Sequence, residues 1–384
     1  MRRGTQAERR QLGETFASLC RIESPSGRER ECADWVAAEL DGMGVGVEED
    51  GAGPAAGSDV GNLLARLPGR GAESILLCAH LDTVPLTAPV EPVVVNGGWE
   101  NSGDGILGAD NKAAVAVILE LVRRLRGLPE PPEVGVELLF TVCEEVALRG
   151  AKAFDASRLV SRFGYVFDHA SPIGEIVVAS PTYYRIVADV HGRAAHAGIR
   201  PENGRSAILA AARGVAAMRI GRLDPDTTAN VGTISGGTNA NVVPERCHVE
   251  AETRSIDASR AEATATEMVD RLQEAADASE CDLDVTVERM FEGYRTRARD
   301  PQVALAELAL RDCGYEPRQI ATGGGSDANA LQTSGFACTN LANGTERNHE
   351  PTERVSVDAL EGMLEVAIAL VEHAPAVMGD GPGT

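Results

Sequence analysis

The chain has 384 residues and a mass of 40.3 kDa, room for roughly two or three domains with sizeable buried cores, which excludes a peptide hormone, a disulfide scaffold or a small module. Hydrophobic residues make up 43% and charged residues 24%, the balance of a folded globular protein rather than a disordered or membrane-embedded one. A formal charge of −22 and a pI near 4.8 give a mean field that repels nucleic acid and anionic membranes, so neither is an expected partner.

The N-terminal residues lead into no signal-peptide core, and no spanning run of about 18 apolar residues occurs. Residues 51–57, Gly-Ala-Gly-Pro-Ala-Ala-Gly, read as a surface loop. Residues 74–83 form a buried strand whose apolar run stops at His80, two positions before Asp82. Asp110 then opens a helix over 111–125, placed like an N-cap. A second apolar strand, 134–142, stops at Glu144-Glu145, and a third, 163–167, ends at Asp168. Strand, helix and strand with long connections predict a mostly parallel α/β sheet, with polar residues gathered at the carboxyl ends of its strands.

From about residue 180 the pattern changes. Strands at 182–190, 228–234, 247–254 and 283–290 alternate with helices at 205–219 and 258–278, giving β-α-β-β-α-β, the order of an α+β ferredoxin-like domain. A helix at 301–313, a glycine loop at 323–325, a strand at 336–341 followed by His349, and a helix at 357–372 return to the first style. The expected organisation is therefore one domain from 1–179 and 293–384, with 180–292 inserted into it.

The eight cysteines contain no C-x-x-C pair and several sit in apolar runs, as expected of buried, reduced thiols in a cytoplasmic protein. Cys143, beside Glu144, reads as a strand residue rather than a ligand. Without a secretion signal, the sequon at Asn343 reads as accidental. Residues 103–108 satisfy G-x-G-x-x-G, but a turn-rich loop precedes them and no acidic residue sits on a following strand at the right distance, so nicotinamide binding is not expected.

His80, Asp82, Asp110, Glu144, Glu145, Asp168 and His349 mix imidazoles with carboxylates and include no thiolate, a set that suits zinc or a similar borderline divalent metal. Singly, each has a plainer structural role: a cap, a core histidine, a solvated pair. Together, so many carboxylates at one sheet edge call for a cation. His80 and Asp82 share a strand face, so Asp82 is placed to orient the ring nitrogen of His80 that faces away from a metal. Adjacent Glu144 and Glu145 diverge, which allows one to bind metal and the other to act as a base.

The segments His80-Leu81-Asp82-Thr83-Val84-Pro85, Gly108-Ala109-Asp110-Asn111-Lys112-Ala113, Glu144-Glu145 with Gly150-Ala151, and the late His349 resemble the M20 family of co-catalytic zinc peptidases and amidohydrolases. The likeness is greatest to peptidase T-like members, through residues 192–198 with 201–204, 239–244 and 323–329. The resemblance implies a zinc-peptidase catalytic domain carrying an inserted lid and dimerisation domain. It implies two Zn²⁺ per subunit, with Co²⁺ or Mn²⁺ as substitutes, Asp110 bridging them, His80 and Asp168 on one ion and Glu145 and His349 on the other. Asp82 would support His80, Glu144 would be the general base, and a cis peptide would follow Asp110. His196, Asn241, Arg254, Gly324 and Ser326 would bind substrate, His196 in many relatives across a homodimer interface.

His169 departs from the family's usual small residue and either lines the cleft or packs behind it; Pro351 is a second departure. His191, His248 and His373 match no motif. The implied activity is hydrolysis of an amide bond in small peptides, as in a tripeptidase-like aminopeptidase. An N-acyl amino acid amidohydrolase shares the mechanism, and an inactive metal- or peptide-binding protein is a third reading.

Overall fold

The computed structural model describes residues 4–378, which divide into two compact units. One runs up to Val178 and takes in Thr296–Ala321 and the chain from Ser326 on; the other is Ala179–Arg295 with Thr322–Gly325.

The first unit is built on a mixed sheet in the order Val47–Glu49, Leu63–Leu67, Gly135–Thr141, Ser74–His80, Phe163–His169, Cys338–Ala342 and Glu175–Ser180, the last running to the unit's limit. The four strands from Gly135–Thr141 to Cys338–Ala342 are parallel neighbours, whereas the flanking pairs are antiparallel. The expected α/β class is therefore correct, and parallel pairing is confined to the centre. Those central strands are buried on both faces and are mostly apolar, Glu137, Thr339 and Asn340 being buried exceptions, the sequence signal of a covered parallel sheet. Aligned parallel strands also bring His80, Thr141 and His169 to one edge.

Helix Ala109–Arg126 connects two of these strands and buries most of its length, Ala113 to Val122 included, so that it needs no polar face. Asp110 does not cap it. Asp110 and Asn111 have non-helical dihedrals, the peptide between them is cis, and the Asp110 carboxylate is turned toward His80 and Asn348 instead of the helix's first amides. Two further expectations change. Residues 51–57 contain a single helical turn, Gly53–Ala56, with Ala56 buried, so they are not wholly a surface loop. Gly98–Asn101, expected as loop, is a strand; it pairs antiparallel with Pro92–Val95 in a small separate sheet and so is no dinucleotide-binding strand.

The second unit has one antiparallel sheet in the order Gly221–Asp224, Thr227–Gly236, Arg246–Ser255, Thr182–His191 and Asp282–Phe291. Helices Ala207–Ala217 and Ala258–Ala278 join its strands in the order β-α-β-β-β-α-β, so the β-α-β-β-α-β order read from the sequence gains one strand, Gly221–Asp224, at the edge of the sheet. Its own core holds Ile186, Val190, Val249, Met268 and Leu272. Ile186→Val removes one buried methylene there and is expected to lower the free energy of unfolding by about 0.5–1.5 kcal/mol. Urea denaturation reads this directly, and no loss would mean that this core repacks freely.

All eight cysteines are free thiols, seven of them buried. Asn343 is buried with its carboxamide oxygen accepting from the Thr345 hydroxyl, so the sequon is closed to modification. Among the described residues, no helix is long and apolar enough to cross a membrane.

Candidate active site

Asp110 stands at the centre of the polar cluster at the sheet edge. Its Oδ1 lies 3.2 Å from His80 Nε2, and its Oδ2 lies 3.3 Å from His349 Nε2. Asp168 Oδ1 is 3.6 Å from His80 Nε2, and Glu145 Oε1 is 2.9 Å from His349 Nε2. Two groups result, His80 with Asp110 and Asp168, and Asp110 with Glu145 and His349; in each the potential ligand atoms lie within 4.8 Å of one another.

Local structure explains how each member arrives. His80 is the last residue of its strand, and its Nδ1 is 2.9 Å from the backbone carbonyl of Asp82, which leaves Nε2 for the cluster. The Asp82 carboxylate is farther from that ring, at 3.4 Å, and accepts instead from the backbone N–H groups of Glu144 at 2.9 Å and Glu145 at 3.1 Å and from the Ser26 hydroxyl at 2.7 Å. Asp82 thus orients the imidazole through its main chain and the Glu144-Glu145 turn through its side chain. Cys143 opens that turn at a φ of 52° rather than continuing the strand, with its N–H on Glu29 Oε1. Asp168 is held by Asn111, whose Nδ2 donates to its Oδ1 at 2.7 Å, and Asn348 Nδ2 donates to Asp110 Oδ2 at 2.8 Å.

Electrostatics follow from burial and crowding. Burial and the neighbouring Asp168 push the Glu144 carboxyl well above its ordinary range. Burial, then the charge of Asp110, pushes Asp168 up to about 7, and burial likewise raises Glu145. Burial opposes ionisation of Asp110 as well, but hydrogen bonds with His349 and His80 hold it well below the usual carboxylate range. Hydrogen bonds to Asp110 and Glu145 raise His349 to about 10. For His80, burial works against the charged ring, and hydrogen bonds with Asp110, Asp168 and Asp82 outweigh it.

The cluster therefore collects protons where divalent cations would satisfy the same lone pairs. The donor set of imidazole nitrogen and carboxylate oxygen fits zinc or another borderline divalent ion, and Asp110 offers one oxygen to each group. Buried Asn348 Oδ1 and Asp327 Oδ1 also lack a hydrogen-bond partner among the described residues. Glu144 is only 8% exposed and belongs to neither ligand group.

Sequence reasoning missed Asn348, Asp327, Glu353 and Glu29. Asn348 had a signal, since it adjoins His349. Asp327 accepts from the Thr141 hydroxyl across 186 residues, and Glu353 accepts from the Asp110 N–H across 243, separations that no local pattern announces. Burial raises Asp327 to about 6.

The remaining expected residues belong to neither ligand group. In the second unit, Ala195–His196 pairs with Val242–Val243, and the Ala197 N–H reaches the Asn241 carbonyl at 2.9 Å, so His196 and Asn241 are neighbours. His196 Nδ1 accepts from the Gly198 N–H at 3.2 Å, leaving the exposed ring to donate from Nε2. Arg254 lies 4.2 Å over the Tyr183 ring, meets Glu252 at 3.1 and 3.2 Å, and donates to the Gly323 carbonyl at 3.1 Å. The Gly324 carbonyl accepts from the Ser180 hydroxyl at 2.9 Å. Ser326 is 1% exposed and caps helix Asp327–Thr333 with Asn329, so its side chain is engaged in the fold. His169 lies 3.7 Å from Glu175, and His191, His248 and His373 pair with Asp284, Asp189 and Asp312.

Residues 76–373 match the family model for peptidase family M20/M25/M40. The uncharacterized protein YqjE of Bacillus subtilis (strain 168) is 36% identical over 367 residues, 95% of this chain and 98% of that protein. The crystal structure of the aminopeptidase PepT from Bacillus cereus superposes with a TM-score of 0.86 at 35% identity, covering 95% of this chain and 98% of that one. That of a tripeptidase from Staphylococcus aureus reaches 0.91 at 30% identity, covering 96% and 99%. A family match over most of the chain, near-complete relatives at 30% identity and above, and a sheet-edge cluster of imidazoles and carboxylates agree: this chain is a hydrolytic enzyme belonging to peptidase family M20/M25/M40.

Proposed function

We propose that this hydrolase is a dinuclear zinc peptidase that cleaves an amide bond in small free peptides, a tripeptidase-like aminopeptidase. One observation carries the reading: the two oxygens of Asp110 are divided between His80 on one side and His349 on the other, the arrangement of a carboxylate shared by two ions. His80 and Asp168 would hold one ion, Glu145 and His349 the other. Two such ions supply Lewis acidity, polarising a carbonyl oxygen and lowering the pKa of water from about 15.7 toward about 7.

The protein's own contribution is positioning and proton transfer. Glu144 would take a proton from the attacking water and return it to the departing amide nitrogen, and its burial, which raises its proton affinity, suits both halves of that task. The Asp82 carboxylate fixes the backbone of Glu144 and Glu145 together, so base and ligand keep a constant offset. His196 would donate to a substrate carbonyl oxygen or carboxylate from Nε2, with Asn241, Arg254 and Gly324 holding the substrate's polar groups. In this reading residues 180–292 form the lid and dimerisation domain, residues 1–179 and 293–384 the catalytic one, and the enzyme works in the cytoplasm.

Similarity to an aminopeptidase and a tripeptidase supports the substrate class. A panel of free tripeptides, dipeptides and N-acetyl amino acids, assayed with zinc, cobalt and manganese, is expected to show turnover of free tripeptides first. Turnover of N-acylated compounds alone would make the enzyme an amidohydrolase instead.

A further inference from the structure

We propose that Glu353 is a positioning residue that locks the Asp110 loop to the His349 loop, so that the Asp110–Glu145–His349 group depends on it more strongly than the His80–Asp110–Asp168 group does. The inference rests on the dinuclear reading above. Glu353 is 1% exposed and belongs to neither ligand group. Its Oε2 accepts from the backbone N–H groups of Leu107 at 2.9 Å and Gly108 at 2.7 Å, and its Oε1 accepts from that of Asp110 at 2.9 Å. Three amides converging on one carboxylate form an anion nest made by the main chain, and the left-handed Gly108, at φ 75°, shapes it.

The carboxylate reaches across from the loop that carries His349. In that loop Arg347 and His349 both have left-handed backbones, the Glu353 N–H returns to the Glu350 carbonyl at 2.9 Å, and Arg347 Nε donates to the Thr352 carbonyl at 2.8 Å. The His349 side chain is 50% exposed, so packing alone does little to fix it. Its register with Asp110 comes from Asn348, from its own ring and from Glu353, and only Glu353 binds the Asp110 loop through the main chain. His80 and Asp168, by contrast, come from adjacent strands paired through Cys78 and Val166, and the sheet itself sets their spacing. Loss of the Glu353 carboxylate would leave three buried amides unpaired and free the two loops to drift apart.

The test uses full-length wild type, Glu353→Gln and Glu353→Ala, stripped of metal and titrated with Co²⁺ at equilibrium, followed by visible absorption. Wild type is expected to bind two ions. The Ala variant is expected to bind the first within roughly threefold of wild type and the second roughly 10–100-fold more weakly, the loss typical of removing a partner that supports a ligand. The Gln variant keeps one acceptor and the side-chain volume, so it should show a smaller loss on the same ion and reads the effect if the Ala variant does not fold. Wild-type affinities for both ions in the folded variants, or equal weakening of both ions, would overturn the proposal. Fewer than two ions in wild type would instead overturn the dinuclear reading. In that event amide exchange of Leu107, Gly108 and Asp110 in the metal-free proteins decides the role of Glu353: faster exchange in the variants supports it, and unchanged exchange refutes it.

Discussion

Glu144→Gln is expected to lower kcat for tripeptide hydrolysis by roughly 10²–10⁴-fold, the range for loss of a general base, while bound metal stays at the wild-type level. Glutamine preserves the shape and burial of the side chain, so the Asp82 hydrogen bonds to the Glu144 and Glu145 backbones should survive. Only the capacity to accept and return a proton disappears. Glu144 lies in neither ligand group, and this separates the variant from every substitution that acts through metal loss. Hydrolysis at the wild-type rate with equal metal content would remove Glu144 from the mechanism.

Asp110→Ala should act on both ions at once. Its two oxygens face different histidines, so one substitution takes a ligand from each group. Both affinities should fall by more than the roughly 10–100-fold typical of a supporting partner, with hydrolysis lost in parallel. His349→Ala touches only one group and should leave one ion tightly bound. Elemental analysis of the dialysed proteins distinguishes the two patterns, with circular dichroism as a check on folding. A single ion retained at full strength in Asp110→Ala would show that Asp110 is not shared.

The cluster at the sheet edge was legible for a physical reason. Parallel strands covered on both faces are mostly apolar, so the places where their apolar runs give way to polar residues, at His80, Glu144 and Asp168, stand out from the sequence. Asp110 stood out equally, yet its conformation did not: a carboxylate ahead of an apolar helix looks like a cap, and only the positions of His80 and Asn348 show where its oxygens go. The antiparallel flanks of the sheet were not legible, because pairing direction is set by tertiary context rather than by side-chain pattern.

Supporting residues were the least visible. Ser326 sits in a glycine-rich segment that invites a ligand-binding reading, and its burial and its cap with Asn329 appear only in the fold. Glu353 is one acid among 58 in the sequence, and what singles it out is three backbone donors supplied from a distant loop. The direct role of Asp82 was similarly mixed. Its proximity to His80 followed from strand periodicity, whereas the commitment of its carboxylate to the Glu144-Glu145 turn required the turn's geometry.

Metal titration tests the central claim most directly. The metal-stripped enzyme, assayed on a free tripeptide as zinc is added in measured equivalents, is expected to be inactive at the start and to reach full activity at two equivalents per chain. Full activity without divalent metal, or saturation at a single equivalent, would contradict a dinuclear site built on Asp110.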